Sequence, residues 1–364
     1  MTLETIASKT LDFYAPRFEV VIEDQRLPVN ISKVIQEVSV EEEKDKASRF
    51  SITVSVEPDR EKGGFKWLDD PLFKEGNKTS IRMGYGSDLT TMVHGRIEEL
   101  ESSFFSGDAP TLTVSGYDVS CELRKKSGEK TFRNKSYGEI VKEIADLGGL
   151  QATIDPTNRY EEVIRKKSDT SYYRFIKEVL AANLRYEFLI DREGKLIFVK
   201  PKDEETEIVT LSWEKDLISF NPRMRLTDLV SEVEVRGHNP EDPKNPIIGR
   251  APAGSETQQE RGRKTGSRIA SEMCSNSKRV VTTRRPITRS QADTLAASIL
   301  NQASDTLLTG GGECIGIPQI KPLAAIRLEN LGTRFSGKYY VVGCTHTIGD
   351  NGYRTRFTVK RNAA

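Results

Sequence analysis

The chain has 364 residues, with 55 lysines and arginines against 54 aspartates and glutamates, so its formal net charge at pH 7 is only +1. This length is too great for one ordinary hydrophobic core and predicts two or three domains. A nearly neutral chain argues against nucleic acid as the main partner, although a local basic patch remains compatible with this balance.

The sequence indicates neither a membrane span nor an export signal. No run approaches the roughly 18 apolar residues of a transmembrane helix. The first residues, MTLETIASKTLDFYAP, lack the basic-then-apolar layout of a signal peptide. The four cysteines have no Cys-x-x-Cys spacing, which favours buried, reduced thiols over a zinc ribbon or a disulfide framework. They are Cys121, Cys274, Cys314 and Cys344.

Strand patterns dominate the first part of the chain. Phe50, Ile52 and Val54 alternate with small polar residues, which is typical of a half-buried strand. The segments TSIRMGYGSD, TTMVHGRIEELESSF and PTLTVSGYD continue this character between Gly, Asp and Ser turns. Several short strands at such spacing predict a first β-barrel over residues 16–120, preceded by an N-terminal arm over residues 1–15.

A compact α/β domain is predicted over residues 121–204. Ser136 and Glu139 have the spacing of a capping box at the start of a helix, and two glycines mark its end. A second amphipathic helix follows from about Ser171. The segment YEFLIDREGKLIFVKP then predicts a hairpin with its turn at Asp191 to Gly194.

Strand character returns at ETEIVTLSW and DLVSEVEVRGHNP, so a second β-barrel is predicted over residues 205–240 and 310–364. Residues 241–309 are assigned to an inserted basic loop and helix. The part from 239 to 286 is rich in Pro, Gly, Ser and charge without a sustained period. It is therefore interpreted as a long functional loop or a mobile insertion, followed by a helix over about 290–304.

The closing stretch GKYYVVGCTHTIGDNGYRTRFTVKRN predicts a β-hairpin with Asp350 and Asn351 at the turn. With this turn, Cys344 faces Phe357 and Val342 faces Val359. The buried face is predicted to carry Tyr340, Val342, Cys344, His346 and Ile348. The opposite face, with Arg354 and Arg356, is interpreted as solvated or partner-contacting.

The sequence contains no recognisable catalytic or cofactor-binding constellation. Cys344 and His346 share a strand face, but a zinc site needs three or four ligands, so His346 is interpreted as a structural residue. The phosphate-loop-like GRKTGS at 262–267 lacks the first glycine and the preceding apolar strand of a true phosphate loop. There is no Gly-x-Ser-x-Gly elbow. The prediction is therefore no enzyme, with no catalytic residue, no cofactor and no metal site.

The basic insertion is the ambiguous feature of the sequence. Clustered positive charge suits the phosphates of DNA. Aromatic residues are absent from 239 to 289, however, so a stacking platform for single strands is missing. An acidic protein partner or plain solvent exposure is favoured. The candidate interface residues of this segment are Arg261, Arg263, Lys264, Arg284 and Arg285.

Several motifs occur in a fixed order over nearly the whole chain. They are YAPRFEVVI, VHGRIEEL, LTVSGYDVSCEL, KTFRNKSYGEIVKEIADLGGL, YEFLIDREGKLIFVKP, VSEVEVRGHNP and FSGKYYVVGCTHTIGDNGYRTRFTVKR. In this order the chain resembles the phage late-control D family, the baseplate hub proteins of contractile tails. The same fold forms the hub part of the valine-glycine-repeat spike proteins of type VI secretion.

The resemblance implies a mainly β fold in which two related β-barrel domains are joined by a small α/β domain. It further implies a homotrimeric ring whose six barrels give pseudo-sixfold symmetry. Such a hub would adapt a hexameric tail tube to a trimeric spike around a delivery channel. Because no glycine-rich needle follows the last hairpin, the spike is expected to be a separate protein.

The resemblance also implies the surroundings of the protein. Expected partners are the tail tube protein, the spike, baseplate wedge proteins and a tape-measure protein or cargo in the lumen, with nucleic acid only as passing cargo. The chain would be made in the bacterial cytoplasm and assembled in the baseplate of a virion or a phage-tail-like particle. The Arg354 and Arg356 face is expected to meet a neighbour or to line the channel.

Three alternatives stay open on the sequence alone. A tail-tip cell-wall hydrolase would need a carboxylate pair or a metal cluster in a groove. A nucleic-acid-binding module would use the basic insertion, with an affinity that falls steeply with salt. A baseplate protein of another position, built on a related barrel, is the third.

Overall fold

The computed structural model describes residues 15–59, 63–159, 161–201, 206–239, 242, 244–257, 260, 262–274, 277–286 and 288–364. The predicted N-terminal arm, residues 1–15, lies outside this part of the chain except for Ala15. The described residues form large antiparallel sheets and a smaller helical part, which confirms the prediction of a mainly β chain with an α+β insert. Among the described helices, none combines the length and apolar character needed to cross a membrane.

The strands of the first part are β1 (Pro16–Ile22), β2 (Gln25–Arg26), β3 (Ile35–Glu43), β4 (Arg49–Ser55), β5 (Lys78–Tyr85), β6 (Asp88–Ser103), β7 (Thr111–Asp118), β8 (Lys130–Arg133), β9 (Ala152–Ile154), β10 (Val163–Lys166), β11 (Glu187–Ile190) and β12 (Leu196–Val199). Those of the second part are β13 (Glu207–Ser212), β14 (Leu217–Met224), β15 (Glu232–His238), β16 (Ile247–Ala251), β17 (Lys278–Pro286), β18 (Leu308–Ile315), β19 (Ala325–Glu329), β20 (Gly337–Gly349) and β21 (Gly352–Arg361).

The helices are α1 (Val29–Ser32), α2 (Cys121–Lys125), α3 (Tyr137–Leu147), α4 (Tyr172–Phe175), α5 (Ala182–Leu184), α6 (Gly266–Met273), α7 (Arg289–Ser304) and α8 (Gly332–Phe335). A 3-10 turn covers Pro71–Phe73, and a π-helical turn, Ile176–Ala181, joins α4 to α5. The predicted capping box of α3 is present, with Ser136 accepting from the Glu139 backbone N–H. A second capping box, Thr288 with Gln291, starts α7.

One sheet of thirteen strands runs through both β-rich parts of the molecule. Its order is β14-β18-β21-β20-β3-β4-β7-β6-β5-β1-β2, and β13 joins through β19, which pairs with β20. We call β1 to β7 the N-terminal half and β13, β14 and β18 to β21 the C-terminal half. The halves meet where β20 pairs with β3 between Gly343 and Ile348. The described strand order is open, ending at β14 and β2, and contains no closed barrel.

Each part of the molecule surrounds its own hydrophobic core. Phe50, Ile52 and Ile81 belong to the core of the N-terminal half, which also takes in Ile348 and Tyr353 from the C-terminal hairpin. The helix α3 and the β9-β12-β11 sheet enclose a second core. The C-terminal half has a third core. The hairpin β20–β21 therefore contributes to two cores, which couples the two halves.

The segment interpreted as a long functional loop or a mobile insertion contains regular secondary structure among its described residues. It contains β16, β17 and α6, and β15, expected in the second barrel, lies between β16 and β17 in a separate three-stranded sheet. Helix α7 covers one face of this sheet with Ala292, Ala296 and Leu300. We call β15 to β17 with α7 the small subdomain. Its strand β17 is crowded with charge, so the two-residue apolar period is weak in the sequence.

The closing hairpin has the predicted turn and most of the predicted pairing. Gly349 pairs with Gly352 around Asp350 and Asn351, and Cys344 pairs with Phe357. Thr345 faces Arg356, as the sequence indicated. This part of the strand fixes which residues of the C-terminal half face inward.

The predicted pairing of Val342 with Val359 is wrong, because β20 has a bulge between Val341 and Gly343. Val341 pairs with Val359 instead and is fully buried, as is Tyr339. An extra residue in one strand reverses the alternation of side chains beyond it. Val342 is consequently only half-buried, and the inward face before the bulge carries odd-numbered residues.

Because of the bulge, we expect alanine substitutions at two neighbouring valines to lower the free energy of unfolding by different amounts. Val341→Ala removes two buried methyl groups from the third core and should lower the free energy of unfolding by about 2 kcal/mol. Val342→Ala, the matched control, should cost less than about 1 kcal/mol because its side chain is partly solvated. Urea unfolding followed by circular dichroism measures both, and a larger loss for Val342→Ala would contradict the bulge.

Candidate functional site: a polar sheet face and a buried junction

A continuous polar face crosses the boundary between the two halves. In one row of paired residues, Thr347 on β20 lies opposite Ser39 on β3, which lies opposite Ser51 on β4. The hydroxyls of Ser39 and Thr347 are 3.4 Å apart. We define the polar sheet face by these rows, whose members from β18 to β6 are Glu37, Ser39, Glu41, Arg49, Ser51, Thr53, Arg96, Glu99, Glu101, Thr113, Ser115, Tyr117, Glu313, Thr345, Thr347, Arg354 and Arg356.

The polar sheet face carries five glutamates against four arginines, so its charges nearly balance with one negative charge in excess. Arg356 donates from Nε to Glu313 at 2.8 Å while 76% of its side chain stays exposed. Arg354 donates from Nε to the Asn351 carbonyl at 3.2 Å. These exposed contacts are weak, because water competes for both partners. The face is therefore polar and solvated without a concentrated charge of either sign.

Two of the other predicted interface residues contact the chain itself. Arg263 donates to the Thr333 and Ser336 carbonyls and pairs with Glu260 at 2.8 Å. Lys264 pairs with Glu272 at 2.7 Å. Both side chains thus have partners in the same chain, Lys264 at the exposed surface.

The structure does not bring these basic residues to the Arg354 and Arg356 face. Glu260, the partner of Arg263, also lies 3.6 Å from Arg361. Arg361 is seven residues along β21 from Arg354, which is roughly 23 Å at the rise of an extended strand. Arg261 lies outside the described residues. Arg284 and Arg285 lie on β17 with their side chains outside the described part.

The GRKTGS segment is not a phosphate loop. It leads into α6, whose N-terminus is occupied by the buried carboxylate of Glu256. Glu256 accepts from the backbone N–H of Ser267 at 3.1 Å and from its hydroxyl at 2.6 Å. Because these hydrogen bonds outweigh burial, the pKa of Glu256 lies below its usual value. The N-terminus of α6 favours a negative charge, and the Glu256 carboxylate of the same chain supplies it.

A second candidate site is a buried cluster where the α/β part meets both halves. The turn between β11 and β12 is closed by Asp191, which accepts from the Lys195 backbone N–H at 2.8 Å. In the closed turn, the side chain of Arg192 points into the protein. The residue is only 7% exposed. Its guanidinium donates to both carboxylate oxygens of Glu42 on β3, from Nε at 2.9 and 3.0 Å.

The same guanidinium also binds the C-terminal half. Arg192 donates from Nη1 to the Pro318 carbonyl and from Nη2 to the Ile320 carbonyl at 2.9 Å. Burial disfavours its charge, but the nearby Glu42 carboxylate raises its pKa above the usual value. One side chain therefore connects the α/β part, β3 and the loop before β19. We call Glu42, Arg192, Cys344, His346, Tyr353 and Thr355 the junction cluster.

His346 is neutral in the junction cluster. Burial and then the Arg192 charge lower its pKa from 6.5 to about 3. Its Nε2–H donates to the Ile320 carbonyl at 2.9 Å, and Nδ1 accepts from the Tyr353 hydroxyl at 3.0 Å. Uncharged groups thus hold the ring at both nitrogens, and the charged Arg192 guanidinium lies 3.2 Å from Nε2.

The junction cluster has the elements of a metal site but not its chemistry. Ligand atoms of Glu42, Cys344 and His346 lie within 4.8 Å of one another. Arg192, however, occupies both oxygens of Glu42 with a fixed positive charge. Burial raises the pKa of the Cys344 thiol, whereas a metal needs the thiolate. The arginine takes the place that a cation would fill.

A cleft of about 370 Å³ opens beside the junction cluster and is lined by four carboxylates, Glu42, which pairs with Arg192, and Glu43, Glu187 and Asp191. Glu187 is buried, which raises its pKa, and it pairs with Lys44 at 2.6 Å. Glu43 pairs with Lys46 at 2.5 Å. Asp191 closes its own turn. Since each carboxylate already has a cation or amide partner, the cleft does not favour the hydrolase alternative.

Sequence reasoning missed the two residues on which the junction depends. Arg192 lies in a DREG turn, where a charged residue is normally solvated. Glu42 lies in the run EEEKDK, which reads as an exposed charged edge. The only available signal is the inward phase of β3, since Glu42 continues the alternation of Val38 and Val40.

Comparisons with known proteins agree with this architecture. A family model described as Alg8 N-terminal domain matches residues 14–350. The 43 kDa tail protein of prophage MuSo2 from Shewanella oneidensis is similar with a TM-score of 0.70 at 12% identity, over 96% of this chain and 99% of that chain. A tail protein from Neisseria meningitidis MC58 gives 0.70 at 11% identity, over 96% and 97%.

A third similar structure comes from a secretion apparatus. The c3393 protein of E. coli, a type VI secretion component similar to the T4 tail proteins gp27 and gp5, gives a TM-score of 0.60 at 12% identity, over 94% of this chain and 76% of that chain. No curated protein matches the sequence. Phage tail and type VI neighbours confirm the resemblance found in the sequence motifs.

We expect that removing one member of the ion pair in the junction cluster strongly lowers the free energy of unfolding. Arg192→Met leaves the Glu42 carboxylate buried without a cation and should lower the free energy of unfolding by about 3–5 kcal/mol. Adding Glu42→Met should cost less than the sum of the two single changes, because no charge is then stranded. Chemical denaturation of the four proteins measures the coupling.

Arg174→Met is the matched control, since Arg174 pairs with Glu178 on the exposed surface of the same α/β part. It should change the stability by less than about 1 kcal/mol. An effect of Arg192→Met as small as that of the control would show that the junction cluster carries little stability.

Because the pKa of His346 is lowered, we expect this residue to contribute to the loss of protein stability at acidic pH. Between pH 6.5 and about 3 the unfolded chain binds a proton at this residue that the folded chain does not. The stability that His346 contributes above pH 6.5 is therefore lost as the pH falls toward 3. His346→Gln should flatten the decline in the free energy of unfolding over this interval. The exposed His94→Gln variant should follow the parent protein, and a His346→Gln curve parallel to both would refute the assignment.

Proposed function

We propose that this chain, which belongs to the family described as Alg8 N-terminal domain, is the structural hub of a contractile injection system baseplate. The fold is shared with phage tail proteins and a type VI secretion component, although identities of 11–12% compare folds alone. In this role the protein adapts a hexameric tail tube to a trimeric spike and surrounds the delivery channel. Wedge proteins of the baseplate are further expected partners.

The observation that carries the proposal is the continuity of the polar sheet face across both halves. Serine and threonine rows pass from β20 into β3, β4 and β7 without an apolar interruption. A channel that passes cargo needs a surface that stays hydrated and does not hold the cargo. Small hydroxyl side chains with a slight excess of carboxylates meet that need, because phosphates and acidic proteins are not attracted to it.

The arrangement of the halves supports a trimeric ring. Each chain supplies two β-rich halves, so three chains supply six to a hexameric tube while keeping threefold symmetry for a spike. Exposed apolar side chains flank both ends of the terminal strand β14, with Trp213 and Ile218 near its start and Leu226 after its end. Exposed apolar side chains at a sheet end are typical of a protein interface, and we propose that Trp213 and Ile218 contact a second copy.

The two rival functions have less support. The carboxylates of the cleft are engaged by Lys44, Lys46, Arg192 and backbone amides, so a tail-tip hydrolase lacks its acid and base. A nucleic-acid-binding role would draw on basic side chains, but Arg263 and Lys264 are bound within the chain. We place the protein in the assembled particle as a structural component without catalytic activity.

A charge placed at the proposed interface tests this function. The purified chain should have a solution mass of three times 40.9 kDa by light scattering, and particle images should show a six-lobed ring. Ile218→Lys, at a side chain that is 43% exposed, should reduce the mass to that of one chain without unfolding it, since an unpaired ammonium cannot be buried in an apolar contact.

Leu147→Lys is the matched control, because Leu147 is 44% exposed but lies on α3 of the α/β part, outside the sheet that contains β14. It should leave the trimer intact. A monomer at all concentrations that also fails to bind the tube and spike proteins of its own system would reject the hub. A trimer that survives Ile218→Lys would move the interface elsewhere.

A further inference from the structure

The outer strand of the small subdomain is long and exposed. β17, with the sequence KRVVTTRRP, pairs with β15 and lies at the end of the β16-β15-β17 order. Within the described part of the chain, no strand pairs with its other edge. Lys278, Arg279 and Thr282 are exposed, and the large apolar side chain of Val280 is 47% exposed. An edge of this kind offers a row of backbone donors and acceptors.

The two faces of β17 differ in how their charges are satisfied. Lys278 lies opposite Glu232 and pairs with Glu232 at 3.3 Å and with Glu234 at 2.6 Å. Arg279 lies opposite the buried Val233 and so faces the side of the sheet that α7 covers. Among the described residues, no carboxylate lies within ion-pair distance of Arg279.

A second arginine without an anion contacts α7, the helix that covers the Arg279 side of the sheet. Arg185 ends α5 in a left-handed conformation, with φ of +55°, and donates from Nη1 to the Gln302 side chain on α7. Its Nε is buried and has no hydrogen-bond partner in the described structure. Burial, followed by the charge of Arg279, lowers the pKa of Arg185. Two guanidinium groups thus repel each other at a place that contains no described carboxylate.

Protection of the edge does not account for this pair. Lysine and arginine on an exposed strand discourage unwanted sheet pairing, which explains β17 by itself. Arg185, however, lies on another element, is partly buried and leaves a donor unsatisfied, which is costly in a folded protein. An anionic group bound between the two arginines would accept a hydrogen bond from the unsatisfied donor and would offset the repulsion of the two charges.

We propose that the outer edge of β17, together with Arg185 and Arg279, is a docking site for an acidic, extended segment of a partner protein. The segment adds as a further strand beside β17 through backbone hydrogen bonds. Its apolar side chains cover Val280, and one carboxylate binds between Arg185 and Arg279. The site is separate from the polar sheet face and from β14, and it does not depend on the hub function.

An extended acidic polypeptide fits this surface better than a nucleic acid. The edge presents backbone groups at the spacing of another strand, and no aromatic side chain from 239 to 289 is available to stack on bases. Two arginines around one gap match a single carboxylate, whereas a phosphate backbone requires a longer basic track.

Fluorescence anisotropy with a labelled peptide tests the site in the full-length protein. The probe is acetyl-EVEVEVE, with acetyl-QVQVQVQ and an oligothymidylate as competitors. The acidic peptide should bind and be displaced by neither competitor. Arg185→Gln and Arg279→Gln should each weaken binding by about tenfold, the usual effect of losing one charge-assisted hydrogen bond. Near-ultraviolet circular dichroism reports whether the variants are folded.

Arg289→Gln is the matched control, because Arg289 lies on α7 of the same subdomain and already pairs with Asp293. It should leave the affinity unchanged. The exposed Arg279 provides a readout even if the partly buried Arg185 variant fails to fold. Equal binding of the uncharged peptide, displacement by the oligonucleotide, or unchanged affinity in Arg279→Gln would each overturn the proposal.

Discussion

The arrangement of the molecule depends on one buried ion pair, Arg192 with Glu42. Removing two charges from water costs several kcal/mol per ion, and the pair is tolerated only because its remaining donors are also satisfied. Those donors reach the Pro318 and Ile320 carbonyls, which belong to a different part of the chain. The arginine is therefore stable only when the α/β part and both sheet halves are assembled together. This requirement makes the three parts fold and dock as one unit.

The bulge at Val342 is the second constraint, since it changes which residues of β20 face inward. Before it, Tyr339 and Val341 face the core of the C-terminal half. After it, Cys344 faces the same core, and Ile348 further along reaches the core of the N-terminal half. A regular strand of thirteen residues would keep residues of one parity inward along its whole length. The extra residue changes the parity from odd to even before the strand reaches β3.

Local sequence patterns were sufficient for most elements and insufficient for the contacts that join them. The capping box of Ser136, the turn at Asp350 and the pairing of Cys344 with Phe357 all follow from residues close in sequence. The Val342 bulge could not be predicted, because both registers bury a valine. Arg192 and Glu42 are 150 residues apart, and each lies in a polar context typical of solvent. The small subdomain was missed because charge on β17 conceals its apolar alternation.

The sharing of β20 between the halves also has a mechanical meaning. In most two-domain proteins a load passes from one domain to the next through a linker or a side-chain interface. Here it passes through the hydrogen bonds between β20 and β3 inside one continuous sheet, which would be loaded in shear along the strands. Bonds loaded in parallel must fail together, so such a connection resists separation far better than bonds that open one at a time. In the proposed role, the halves would transmit the stroke of a contraction without acting as a hinge.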